Sequence, residues 1–251
     1  TDIDQRINDV SSIAIELTDH LVVAGDSDGS LYALVLDLSQ KYFQPLKAHI
    51  CCSGLNQRPI LCIKLLAVFN TYVAVVGNTA GEVCVWQISI DRKSCGEEYV
   101  IISQTLSSYS AHQIGTNGID ALCTKTEVTD EGSCSAEILI ASCGDDQAIS
   151  IGCLKLKIES QTQFVVTEMN LIKRNMSSSS ALKSVQIVKK NSAHYNIFLV
   201  GYDQQLMIWD YEHENIGDAK NKQEKLKGGV LNHLVSIPTE ISDISSLDCQ
   251  Q

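Results

Sequence analysis

One unit recurs four times along the chain and constrains the fold more than any other feature: an apolar run, a short polar turn carrying Asp, Asn or Gly, then a run in which apolar and polar residues alternate. Two antiparallel strands joined by a tight turn have this pattern, because successive side chains of a strand point to opposite faces. The hairpins lie near 21–36, 73–88, 138–156 and 197–211. Aligning Asp28, Ala80, Asp146 and Asp203 as one turn position gives spacings of 52, 66 and 57 residues. A minimal four-stranded repeat of this kind takes about 40–45 residues. The excess is expected in polar loops at 89–110, 124–136 and 211–229, which cost little chain entropy.

Short apolar segments precede each hairpin, at 13–15, 60–63, 119–122 and 185–188, and suit an inner strand. Segments at 42–46, 100–105, 165–171 and 233–237 suit an outer strand after each one. Helical periodicity is weak and β-branched residues dominate the runs, so the expected class is all-β.

The 251 residues are 44% hydrophobic, enough to bury a substantial core. No apolar run approaches the roughly 18 residues of a membrane span, and the first residues lack a secretory signal. A soluble cytoplasmic chain without membrane contact is expected. The absence of an initiator Met and the abrupt end at Gln251 suggest a fragment. A formal charge of −11 argues against extended contact with nucleic acid and gives no reason to expect DNA as a partner. The ten cysteines are scattered, several within strand-like runs, as reduced buried thiols are.

Recurring carboxylates can suggest catalysis or metal binding. Asp28, Asp146 and Asp203 fall at turns, however, where Asp accepts hydrogen bonds from nearby backbone N–H groups, so turn capping is the expected role. His112 precedes a strand without a nucleophile motif and is expected to brace rather than to shuttle protons. His49, Cys51 and Cys52 form the one tight His/Cys cluster, but lack the second ligand pair of a zinc site. Gly115 and Gly118 lack the Lys-Ser/Thr ending of a phosphate loop. Asn175-Met176-Ser177 fits a glycosylation sequon that a cytoplasmic chain would not use. No pair of titratable groups forms a recognisable catalytic arrangement, so neither an enzyme nor a bound cofactor or metal is expected. The one basic run carries Lys220, Lys222, Lys225 and Lys227, either as a solvated loop or as a contact to RNA or a protein.

The strand Leu206-Met207-Ile208-Trp209-Asp210 ends in the Trp-Asp dipeptide of WD repeats, and Val83-Cys84-Val85-Trp86 repeats that ending without the Asp. The chain resembles a WD-repeat β-propeller throughout, with about four blades of an incomplete ring over 1–251. Such blades tie their strands together through a His from the entering loop, a Ser or Thr, the turn Asp and the Trp. The copies here are degenerate. The third keeps His112 and Asp146 but has Gly152 where the Trp would fall; the second keeps Trp86 but has Ala80 at the Asp position. The fourth keeps Asp203 and Trp209, with Lys183 or Ser184 near the expected His.

Four patches in order extend the likeness: 21–31, Ser110-Ala111-His112-Gln113-Ile114-Gly115-Thr116-Asn117-Gly118-Ile119, 200–209 and Ile237-Pro238-Thr239-Glu240-Ile241-Ser242-Asp243-Ile244-Ser245-Ser246-Leu247-Asp248-Cys249. Together they resemble the C-terminal part of the WD-repeat protein six family. That resemblance implies a non-catalytic scaffold partnering a tRNA ribose 2′-O-methyltransferase at the wobble nucleotide of the anticodon loop, S-adenosylmethionine being bound by the enzyme and tRNA being met through the complex. The other reading of the same blades is a general protein-interaction propeller in signalling, trafficking or ubiquitin ligase assembly.

Overall fold

The structure, a computed structural model, describes residues 14–17, 21–35, 49–52, 58–92, 99–128, 134–160, 163–176, 178–213, 229–239 and 247. Its elements among those residues are sixteen β-strands in four antiparallel four-stranded sheets. Sheet one is β1 (Ala14–Leu17), β2 (Leu21–Gly25), β3 (Leu31–Val35) and β4 (His49–Cys52). Sheet two is β5 (Ile60–Val68), β6 (Thr71–Asn78), β7 (Glu82–Arg92) and β8 (Tyr99–Ser110). Sheet three is β9 (Thr116–Val128), β10 (Cys134–Gly144), β11 (Ala148–Ser160) and β12 (Gln163–Met176). Sheet four is β13 (Leu182–Lys189), β14 (His194–Gly201), β15 (Gln205–Glu212) and β16 (Val230–Pro238).

Within each sheet every strand pairs with its neighbour in sequence, a meander built from hairpins. The first strands meet in series, β1 with β5, β5 with β9 and β9 with β13, and the outer strands β4, β8 and β12 also meet. The sheets therefore stand side by side like blades, with their first strands innermost, in a β-propeller-like all-β fold.

Three apolar clusters lie between successive sheets. Leu21, Leu31, Ile63, Leu65, Trp86 and Ile88 fill the space between sheets one and two. Val75, Val85, Ile138, Ile140, Leu154 and Phe164 fill that between two and three. Leu139, Ile149, Ile151, Leu199, Trp209 and Tyr211 fill that between three and four. Alternation in β10 thus sends Ile138 and Ile140 to one neighbour and Leu139 and Ala141 to the other. That explains its nearly continuous apolar sequence: a strand buried on both faces has no polar side to show. Each fully buried Leu or Ile contributes about 1.5–3 kcal/mol.

Two expectations need correction. The stretches at 89–110 and 124–136 are mostly ladder rather than loop, since β7 runs to Arg92, β8 begins at Tyr99, β9 reaches Val128 and β10 begins at Cys134. Many of their polar residues sit at strand ends that face water, where side-chain polarity does not forbid pairing; Thr126, Glu127 and Val128 at the end of β9 are exposed yet paired with β10. The outer strand of sheet one is His49–Cys52, while 42–46 lies outside the described residues. The other outer and inner strands fall within β8, β12, β16, β5, β9 and β13.

The hairpin turns share one geometry. Gly29 N–H donates to Asp26 O, Gly81 N–H to Asn78 O and Gln147 N–H to Gly144 O. The closing residue is left-handed, with φ of 80° at Gly29 and Gly81, 64° at Gln147 and 58° at Gln204. Gly81 is the most confined. A Cβ there would lie 2.3 Å from His112 O, and Gly81 O itself accepts the N–H groups of Ala111 and His112. Gly81→Ala is therefore expected to lower the unfolding free energy by about 2 kcal/mol or more, through backbone strain and collision. Gln204→Gly, at an exposed left-handed position, should change it by under about 1 kcal/mol. Urea unfolding of both variants checks this.

Candidate functional site

The polar centre of the molecule is built on sheet three. The loop entering it carries His112, strand β10 carries Ser142, and the β10–β11 turn carries Asp146. His112 Nδ1 lies 2.9 Å from Asp146 Oδ1, and Nε2 lies 2.9 Å from Ser142 Oγ. Asp146 Oδ2 accepts the Gln113 N–H at 2.8 Å and Arg174 Nη2 at 2.5 Å, while Oδ1 also accepts the Ala148 N–H at 3.2 Å. An ionised carboxylate only accepts, so Nδ1–H of His112 donates to Asp146 and leaves Nε2 to accept the Ser142 hydroxyl proton.

The electrostatics agree with that assignment. Burial pushes His112 below the usual imidazole range, against the pull of Asp146. Burial also opposes the Asp146 charge, but the Gln113 N–H, His112 and Arg174 outweigh it and hold the carboxyl below its ordinary value. The Ser–His–Asp order is that of an acyl-transfer relay. Its surroundings differ: Ser142 is 0% and His112 3% exposed, on a strand packed between two sheets. A reacting carbonyl would have to displace the packing to reach Ser142 Oγ. The arrangement ties entering loop, strand and turn into one unit.

The other repeats use different groups for the same task. Asp28 is exposed, and Asp26 caps its turn instead: Asp26 Oδ1 accepts the N–H groups of Asp28 at 2.9 Å and Ser30 at 2.7 Å, and Oδ2 accepts Tyr32 Oη–H at 2.9 Å. Asn78 does the same in sheet two, accepting from Ala80 N at 2.9 Å and Glu82 N at 3.1 Å. Gly144 and Gly201 stand where Asp26 and Asn78 do relative to the left-handed residue, so the cap falls two positions later, to Asp146 and Asp203. Asp203 accepts Gln205 N–H at 3.3 Å and Ser178 Oγ–H at 2.5 Å. Ser178 stands four residues before β13, as His112 stands four before β9. It takes the place expected for Lys183 or Ser184.

Trp86 and Trp209, each 5% exposed, face the preceding sheet. The ring of Trp209 meets that of His233 edge-on at 5.0 Å. Gly152 is the corresponding position of sheet three, and a Cβ there would come within 2.5 Å of Tyr109 Oη. The missing tryptophan makes room for a tyrosine from the neighbouring sheet. Lys220, Lys222, Lys225 and Lys227 lie outside the described residues.

Several ties escaped sequence reasoning. Asp120 on β9 accepts Ile187 N–H of β13 at 2.7 Å and pairs with Lys64 of β5 at 3.1 Å, joining three inner strands. Gln87 Oε1 accepts Phe164 N–H across sheets two and three at 3.0 Å. Glu137 and His213 link sheets three and four, and that hydrogen bond holds the Glu137 carboxyl below its usual range. A polar residue inside an apolar strand is the only signal such ties leave, and it names no partner. Burial lifts the Cys62 and Cys153 thiols to about 12, removing thiolate chemistry there. Among the described residues no three His, Cys, Asp or Glu side chains gather as a metal site would require. His49, Cys51 and Cys52 lie in β4.

No family profile and no curated protein matches the chain. Solved structures similar to it include a chain from S. cerevisiae Dbp5 bound to Nup159, Gle1, IP6 and ADP, at 10% identity and a TM-score of 0.33, covering 89% of this chain and 47% of that one. A Trypanosoma rangeli sialidase in complex with the inhibitor DANA matches at 11% and 0.39, over 88% and 38%. A chain of the mitotic checkpoint complex matches at 10% and 0.35, over 94% and 82%. The chain spans less than half the length of the first two. At such identities and scores, the propeller-like description rests on the geometry above.

His112→Ala is expected to cost about 2–4 kcal/mol, because Ser142 and Asp146 would stay buried without their shared partner. The pH dependence has a definite sign. The unfolded imidazole takes a proton near its ordinary value of about 6.5 while the folded one resists. The His112 contribution to stability is therefore complete above that value and declines as pH falls below it. Unfolding midpoints between about pH 8 and 5 should fall less steeply in His112→Ala than in the wild type.

Proposed function

We propose that the chain is a non-catalytic WD-repeat scaffold, about four blades of a larger propeller spanning 1–251, that partners a tRNA ribose 2′-O-methyltransferase acting on the wobble nucleotide. The carrying observation for the scaffold is the rank of sheets packed through their first strands, with the conspicuous polar triad closed inside it. That leaves rigid ends and loops as the surfaces for binding. The exposed Val230, Leu234, Val235 and Ile237 on sheet four support continuation of the rank by a further sheet. The tRNA part is supported by the four sequence patches, of which 110–119 includes the His112 brace. Catalysis and S-adenosylmethionine belong to the partner in this reading, in the cytoplasm, and Lys220, Lys222, Lys225 and Lys227 are the proposed phosphate contacts.

The acidic balance of −11 favours a second reading, a general protein-interaction propeller without RNA. Two measurements separate them. Cells lacking the protein should lose wobble ribose methylation in a subset of tRNAs, and the protein should co-purify the methyltransferase; unchanged methylation leaves the second reading. Replacing the four lysines by Gln should weaken tRNA binding by the complex and flatten log K against log salt by about 3, if each lysine neutralises one phosphate.

A further inference from the structure

We infer that the hairpin-turn end of sheets three and four is a docking surface for a basic segment of a protein partner, one that carries apolar side chains beside its Arg or Lys. The inference rests on the scaffold reading and gives its partner a chemistry and a place.

The surface is continuous. Ile114, 55% exposed, precedes Gly115, whose carbonyl accepts the Asp145 N–H at 3.1 Å. Asp145 Oδ1 accepts Asn117 Nδ2 at 2.6 Å and lies 3.5 Å from Lys183 Nζ. Lys183 Nζ in turn sits 4.8 Å from the ring centroid of Tyr202, itself 53% exposed. Two large apolar groups thus stand in solvent on either side of a fixed carboxylate. Tyr202 is a preferred anchor of protein interfaces because it offers area at low entropic cost.

The charge pattern selects the occupant. Asn117 and Lys183 both act on Oδ1 of Asp145, so Oδ2 has no protein partner among the described residues. It points toward Gly115, where a Cβ would lie 3.3 Å away. Glycine at that position leaves the oxygen open to a donor from outside. Along the same end, every sheet offers a carboxylate at its central turn: Asp28, Glu82, Asp145 and Asp203. Arg58, Arg174 and Lys183 are nearby cations, but Arg174 is held on Asp146 and Lys183 between Asp145 and Tyr202. Such an end attracts guanidinium or ammonium groups and repels phosphates. An Arg side chain can donate to Asp145 Oδ2 while its plane lies against Tyr202, with neighbouring apolar residues on Ile114.

The test uses the full chain and fluorescein-labelled hexapeptides: Gly-Leu-Arg-Leu-Arg-Gly, and a twin with Glu for each Arg. Anisotropy titrations should show saturable binding of the basic peptide only, weaker at about 0.15 M than at about 0.05 M salt. Tyr202→Ala, Asp145→Asn and Ile114→Ser should each weaken it about 5-fold or more. Val128→Ser, at the opposite end of sheet three, should leave it unchanged. No saturable binding, equal binding of the acidic twin, or insensitivity to all three substitutions overturns the inference. An anticodon stem-loop RNA added as competitor keeps the two readings apart. RNA that binds without displacing the peptide, or fails to bind, leaves this surface standing whatever becomes of the tRNA reading; RNA that displaces the peptide and is itself weakened by Tyr202→Ala overturns it.

Discussion

Burial of both faces of the internal sheets is the constraint on which the rest of the structure depends. A β-sheet with apolar residues on both sides is stable only between two others, and sheets two and three meet that condition on each face. Because neighbouring strands within a sheet are rotated against one another, face-to-face sheets splay from a common inner edge and do not stack flat. The first strands gather, and the turns line up at one end. A disturbance in one sheet therefore reaches the next through packing before it reaches any ligand.

Polar groups then set which sheet meets which and in what register. The His112 triad fixes the loop from sheet two onto the turn of sheet three. Asp120 and Asn117 tie β9 to β13, and Gln87 ties β7 to β12. Buried donors and acceptors tolerate few alternative pairings, so these groups give directional specificity to an apolar interface that by itself tolerates sliding. The same logic explains the degeneracy of the repeats. Asp26, Asn78, Asp146 and Asp203 cap four turns of one shape from two different positions, because what the turn needs is an acceptor near its free N–H groups and not a particular residue number.

With the conspicuous polar residues engaged in holding sheets together, binding chemistry is left to exposed groups at the turns. Tyr202 and Ile114 are exposed where their neighbours are paired, and Asp145 keeps one oxygen free of protein partners among the described residues. A rigid end with varied turn residues is a suitable base for partner recognition, since ordering the surface costs little at the moment of association.

The sequence by itself determined the all-β class and the four hairpins, because strand alternation and turn chemistry are local and repeat in every copy, while the bracing pair His112 and Asp146 follows from the resemblance to WD blades. It also carried the place left by the missing tryptophan at Gly152. The tertiary structure alone decided that Asp26 and not Asp28 caps the first turn, that Ser178 stands in for a histidine, that Tyr109 fills the space at Gly152, and that polar stretches such as 124–128 are paired strand. Each of those depends on a partner distant in the chain or on which part of a strand meets water. Local pattern cannot carry that information, because a hydrogen-bond acceptor looks the same in sequence whether its donor is two residues away or in the next sheet.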